Sequence, residues 1–159
     1  MKKILISLLS FLLLTSVAWA NYFDNYPKRF VSYDSTSRFK AYIDMDSVNV
    51  VRYDPPYYEI QATTYYFDYV LHGGMKRSML FYYDYDKQTI AYQLQSLYEC
   101  DEEGNVGRGG PSSITTIIPF KKYSPGYIAG ELAFVKAYGI PFTKELLYRL
   151  LEERSIMGL

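Results

Sequence analysis

His72 is the single histidine of the chain and stands directly before Gly73-Gly74. A hydrolase would use it as a base, oriented by a carboxylate and facing a nucleophile. A hairpin tip holds such geometry poorly, so His72 is expected to be an exposed turn residue. Carboxylates gather at Asp44 and Asp46, at Asp84 and Asp86, and from Asp101 to Glu103. A glycosidase pair drawn from them would depend on a separation in space that sequence spacing does not report. None of the runs follows a calcium-loop spacing, and Asp44-Met45-Asp46-Ser47 and Asp101-Glu102-Glu103-Gly104-Asn105 read as turn chemistry. Cys100 is the only cysteine, and its acidic neighbours disfavour the thiolate. One Cys and one His exclude a structural zinc cage. Gly104 to Gly110 lacks the phosphate-cradling G-x-x-x-x-G-K pattern. No metal or cofactor is therefore expected, and what stands out is 19 tyrosines, a residue type that gives rigid, amphipathic contact area.

Most of those tyrosines lie in Tyr57 to Cys100, which reads as three long strands, Tyr57–Leu71, Lys76–Asp86 and Thr89–Cys100, rich in β-branched and aromatic residues. Gly73-Gly74 reads as a two-residue hairpin turn, since glycine adopts positive φ without a steric cost. Lys87-Gln88 marks the second turn. A turn at Gly73-Gly74 pairs Tyr66 with Phe81, Thr64 with Tyr83 and Ala62 with Tyr85. Tyr92, Leu94, Ile90, Ile60, Val70 and Met79 complete that apolar face, the expected core. The opposite face carries Glu59, Gln61, Thr63, Asp84, Asp86, Gln93 and Gln95, together with Tyr65, Phe67, Tyr69, Leu80 and Tyr82. Those last five are the expected binding patch, aromatics on a face that is otherwise polar.

Met1-Lys2-Lys3, an apolar run from Ile4 to Val17 and Ala18-Trp19-Ala20 have the three parts of a secretory signal peptide over residues 1–20. The run is too short for a membrane span, so the exported chain is expected to begin at Asn21 and not to span a membrane. The signal predicts a periplasmic, cell-surface or secreted location. Losing Lys2 and Lys3 leaves 15 basic residues against 17 acidic ones, a net charge of −2. That balance argues against nucleic acid as a partner.

Residues 21–27 read as a tail, followed by a single α+β domain over 28–159. Lys28–Asp34 and Arg38–Asp44 form a first hairpin around Ser35-Thr36-Ser37. Val48–Tyr53 is a further strand, closed by Asp54-Pro55-Pro56. Asp101–Pro111 is a loop, and Ser113–Phe120 adds a short strand. Ser124 as N-cap and Pro125 at N1 open a helix over 125–138, with Ile128, Leu132 and Val135 on its expected inner face and Gly139 as its stop. A second, amphipathic helix is expected over 144–155, entered through Phe142 and Thr143 and striped by Leu146, Leu147, Leu150 and Leu151.

The segment Tyr42-Ile43-Asp44-Met45-Asp46-Ser47-Val48 resembles the Tyr-x-Asp-x-x-Ser-Ile opening of the bacterial surface-adhesin protein E family. The order that follows is also similar: an aromatic strand from Tyr57 to Tyr69, two further strands, the Asp101–Asn105 loop, Pro111-Ser112-Ser113, Ile118-Pro119 and the Ser124-Pro125-Gly126 helix entry. The resemblance spans Tyr33 to Val135. It implies an antiparallel sheet with a packed C-terminal helix, no catalysis, and adhesion to host proteins. The chain departs from the family in lacking the lipidated cysteine and the cysteine pair that ties helix to sheet, and in continuing past Thr143.

These observations predict an antiparallel meander of five to seven strands with two C-terminal helices, one packed on the sheet. The expected function is an exported, non-enzymatic, adhesin-like binding module that contacts an unknown protein or surface ligand through its aromatic sheet face. The alternatives are a self-associating envelope protein, at its simplest a homodimer, and a carboxylate-dependent glycan hydrolase.

Overall fold

The computed structural model describes residues 22–143. Its strands are β1 (Phe30–Ser35), β2 (Phe39–Asp54), β3 (Tyr57–Asp68), β4 (Gly73–Asp84), β5 (Thr89–Cys100), β6 (Val106–Pro111) and β7 (Ile118–Pro119). They form one antiparallel sheet in the order β1-β2-β3-β4-β5-β6, with β7 also paired to β5. Helix α1 (Pro125–Tyr138) lies across one face. Its start follows from the cap chemistry: Ser124 Oγ accepts from the N–H of Tyr127, Pro125 takes the first turn, and Gly139 ends the helix in the left-handed region. The expected leader over 1–20 and the second helix over 144–155 lie outside the described residues, which hold this one α-helix.

The first turn of the meander is not at Gly73-Gly74. Asp68 pairs with Gly73, and the loop is Tyr69 to His72, in which the Asp68 carboxylate accepts from the N–H groups of Val70 and Leu71 and His72 takes a positive φ. An aspartate that caps its own following turn competes effectively with a glycine pair for the bend. Gly73 and Gly74 are instead the start of β4. A Cβ on Gly74 would sit 2.4 Å from the carbonyl oxygen of Tyr66, so this glycine is there for close approach. Phe81 consequently faces Ile60 where Tyr66 was expected, a displacement of six residues. In the next hairpin Leu94 faces Met79 where Phe81 was expected, a displacement of two.

Both displacements are even. Side chains alternate faces with a period of two, so an even slip leaves every residue on its original side. Ile60, Ala62, Met79, Phe81, Tyr83 and Ile90 therefore do form the buried core beneath the helix. Val70 does not join them: it sits in the loop and is 66% exposed. The inner face of the helix also differs from expectation. Tyr127, Gly130, Glu131 and Phe134 are buried, whereas Ile128, Leu132 and Val135 are only half-buried. Aromatic volume prevailed over aliphatic spacing: Phe134 packs its ring against Tyr58, Tyr83 and Phe142. Buried Glu131 accepts a hydrogen bond from Thr143 Oγ1.

Three further segments differ from the linear reading. Val48–Tyr53 is not a separate strand but the continuation of β2 past an irregularity between Asp44 and Asn49. Half of the expected 101–111 loop is β6. The expected tail is a 3-10 turn, Tyr22–Asn25, with Phe23 fully buried.

Replacing Gly74 by alanine is expected to destabilise the fold by about 1–3 kcal/mol through overpacking. At Gly73 an added Cβ meets only ordinary contact, 3.7 Å from Leu71, so Gly73→Ala should be close to neutral. Denaturant unfolding of the two variants checks this; equal effects would restore the glycine-pair turn.

Candidate functional site

The five side chains of the expected patch do not make one surface. The expected pairing set Tyr65 across from Tyr82 and Phe67 across from Leu80. In the structure Tyr65 faces Lys76, Phe67 faces Gly74, Leu80 faces Gln61 and Tyr82 faces Glu59. Six residues of strand, roughly 20 Å, now separate the two groups. Tyr65 and Phe67 are buried, and the N-terminal turn lays Phe23 over Tyr65 and Tyr42, with ring centroids 4.8 Å and 5.2 Å away. Tyr69 is half-buried with its ring edge on Phe67. Leu80 and Tyr82 remain partly open further along, where the Tyr82 hydroxyl donates to Gln93 Oε1 at 3.1 Å. Burial pushes the Tyr65 phenol up to about 12, as expected of a ring that has become interior.

The candidate catalytic groups are each engaged by neighbouring side chains or backbone. The Arg29 guanidinium forks onto both oxygens of Asp44, at 3.0 and 2.9 Å. Ser47 Oγ donates to the Asp44 carbonyl and accepts from the N–H of Thr63, so the Asp44 to Val48 segment builds the irregularity in β2. Asp84 pairs with Lys87. Asp101 accepts from Asn105 and from the N–H of Glu103. His72 is exposed and meets Glu102 across the loops. Cys100 is buried, and burial, reinforced by Asp101, raises its thiol to about 11. Among the described residues no three His, Cys, Asp or Glu side chains cluster as a metal site would need.

What the sequence reading did not find is a hollow on the helix side of the sheet. The helix covers one end of that face only. Beside its N-terminus lies a cavity of about 340 Å³. Tyr33 of β1, Phe39 of β2, Tyr66 of β3 and Tyr92 of β5 give it aromatic walls, with Met79 and Leu94 between them. Phe120 closes one side, stacked on Tyr92 with centroids 4.4 Å apart. Its ring lies against the first helical turn because residue 126 is glycine; a Cβ there would come within 2.1 Å of it. Tyr66 also borders a second hollow of about 430 Å³ that reaches the β3–β4 turn, lined by Leu71 and Met75.

One cation faces the first cavity. Arg77 sits on β4 between Thr64 and Leu97, and its Nη2 donates to the Tyr33 hydroxyl at 3.3 Å. Its Nε is buried with no hydrogen-bond partner. Among the described residues Arg77 makes no ion pair, unlike Arg29, Arg38 and Arg52. A buried donor left unsatisfied costs about 1–3 kcal/mol, more when it is charged. Asp34 also lines the cavity. The signal for this site was present in the alternation that turns Met79, Phe81 and Tyr83 inward, since it turns Arg77 inward as well.

No family model matches the chain, and no curated protein or solved structure matches it significantly. Among the described residues no helix is long and apolar enough to cross a membrane.

Three carboxylates give the fold a definite response to acid. Asp84 lies below the usual carboxylate range because the Lys87 ammonium and N–H bond it. Asp101 is lowered by the Asn105 side chain and by backbone N–H groups. For Asp68 burial acts upward, but Arg38 and the N–H groups of Leu71 and Val70 outweigh it. A depressed folded value stabilises the fold above about pH 4, and the contribution is lost as pH falls through that value. The urea midpoint is therefore expected to hold from pH 7 to about pH 5 and to drop below about pH 4. Asp101→Asn should flatten part of that drop.

Proposed function

We propose that the chain is an exported, non-enzymatic binding module that takes a small apolar ligand into the hollow between the sheet and the start of α1. The observation that carries this reading is the cavity of about 340 Å³ with walls from five strands, the segment before the helix and the first turns of the helix. Binding pockets of roughly 300–1,000 Å³, mostly apolar with few polar groups, are the usual form of a small-molecule site. Its aromatic walls are held by the sheet ladders, so little order has to be gained on binding. Export is supported by the signal-like residues 1–20, and a non-catalytic role by the resemblance to the adhesin family. The outer face supports a protein contact less well: Leu80 and Tyr82 stand apart from Tyr65 and Phe67, whereas a stable interface takes about 800 Å² from each partner.

Titration of the purified protein with 3-phenylpropanol, followed by two-dimensional amide NMR, tests the proposal. Shifts confined to residues around the hollow, Tyr33, Tyr66, Arg77 and Leu94 among them, are the expected result. Filling the space with Leu94→Trp should weaken binding by about tenfold or more while amide dispersion shows the fold intact. No shifts, or equal binding by the filled variant, would overturn the reading.

A further inference from the structure

We propose that this hollow selects an aromatic monocarboxylate, with the ligand's carboxylate on the Arg77 guanidinium and its ring between Tyr66, Tyr92 and Phe120. The inference rests on the preceding reading of the hollow as a ligand site and adds the chemical class. A guanidinium offers five N–H donors in a planar fork. Here one of its nitrogens is engaged by Tyr33, while Nε is shielded from water and unpaired. The group that matches this fork is a carboxylate, which accepts two parallel hydrogen bonds and supplies the missing negative charge. A neutral alcohol supplies one acceptor and no charge, and an amine brings a second cation. The N-terminal end of α1 borders the same space, and its dipole favours the same sign of ligand.

Size, walls and the second charged residue narrow the class. A cavity of about 340 Å³ corresponds to the liquid volume of roughly eleven waters, so the ligand has on the order of ten to twelve non-hydrogen atoms. Tyr92 and Phe120 are stacked on each other, at 14°, and Phe39 packs on Tyr66 with centroids 5.0 Å apart, so each pair forms a continuous aromatic wall. Such surfaces receive a flat ring by stacked or edge contact. Asp34 on the wall opposes a second negative charge, which sets a monoanion above a dianion.

Isothermal titration of the purified protein at one pH and ionic strength separates the possibilities, using 3-phenylpropionate, the matched 3-phenylpropanol and the dianion phenylsuccinate. The acid is expected to bind about tenfold or more tighter than the alcohol, and tighter than the dianion. Arg77→Met should weaken the acid by about tenfold or more and the alcohol far less, removing the preference between them, and Arg77→Lys should keep part of it. Asp34→Asn should raise the affinity for phenylsuccinate more than for the monoacid. If acid and alcohol bind equally, the carboxylate assignment falls and the hollow stands as an apolar site. If neither binds, both readings fall. Should Arg77→Met fail to fold, as a thermal melt would show, the ratio of acid to alcohol in the unsubstituted protein still decides the question.

Discussion

One strand serves two interiors. The pleat of β3 sends Ile60 and Ala62 beneath the helix and Tyr65 beneath the N-terminal turn, with Thr64 and Phe67 buried further along. Burial on both faces makes β3 intolerant of an odd slip, which would exchange the two sets and send glutamate, glutamine and threonine under the helix. The rest of the architecture accommodates this requirement. β2 and β4 flank β3 along its whole length, the helix covers one face at one end, and Tyr22 to Phe30 cover the other face at the opposite end. The sheet is thus sealed diagonally, and the helix-side face is left open where the N-terminal turn has no reach.

That diagonal sealing creates the hollow. A sheet face sealed along its length would have no room for a ligand, and one left bare would expose a long aromatic surface to association. Here the helix begins at Pro125, and the residues just before it return across β5 as β7, bringing Phe120 onto Tyr92. The gap left between Phe120 and Tyr33 is lined by rings, Met79 and Leu94, with Arg77 and Asp34 as its charged residues. Several cations are answered in pairs: Arg29 by Asp44, Arg38 by Asp68, Lys40 by Asp24 and Lys87 by Asp84. Arg77 differs from these in keeping a buried Nε with no hydrogen-bond partner.

Much of the fold was legible because local chemistry decided it. Ser124-Pro125 and Gly139 bounded the helix, and the residues of the core face followed from alternation alone. The turn was misplaced because two local signals competed, a glycine pair and an aspartate able to bond its own following N–H groups, and the decision between them lay in contacts distant in sequence. Gly74 is needed beneath Tyr66 and beside Cys100, which a turn at that position would forbid. The expected patch is divided in two for the same reason, since its compactness depended on the register and not on the faces. Arg77 was legible in principle as a cation in an inward-facing series, but the series alone does not tell whether an inward cation finds a partner.

Taken alone, the sequence determined what is local or periodic: which residues lie on which side of each strand, where the helix starts and stops, and that Cys100 is an unactivated thiol. These depend on backbone stereochemistry and on a two-residue repeat that survives any even displacement. Only the tertiary structure decided which rows of the sheet lie opposite one another, that Phe23 folds back over Tyr65, and that the helix stops short of covering Arg77. Those outcomes depend on how volumes from distant segments fill a shared space, and no window of neighbouring residues contains that information.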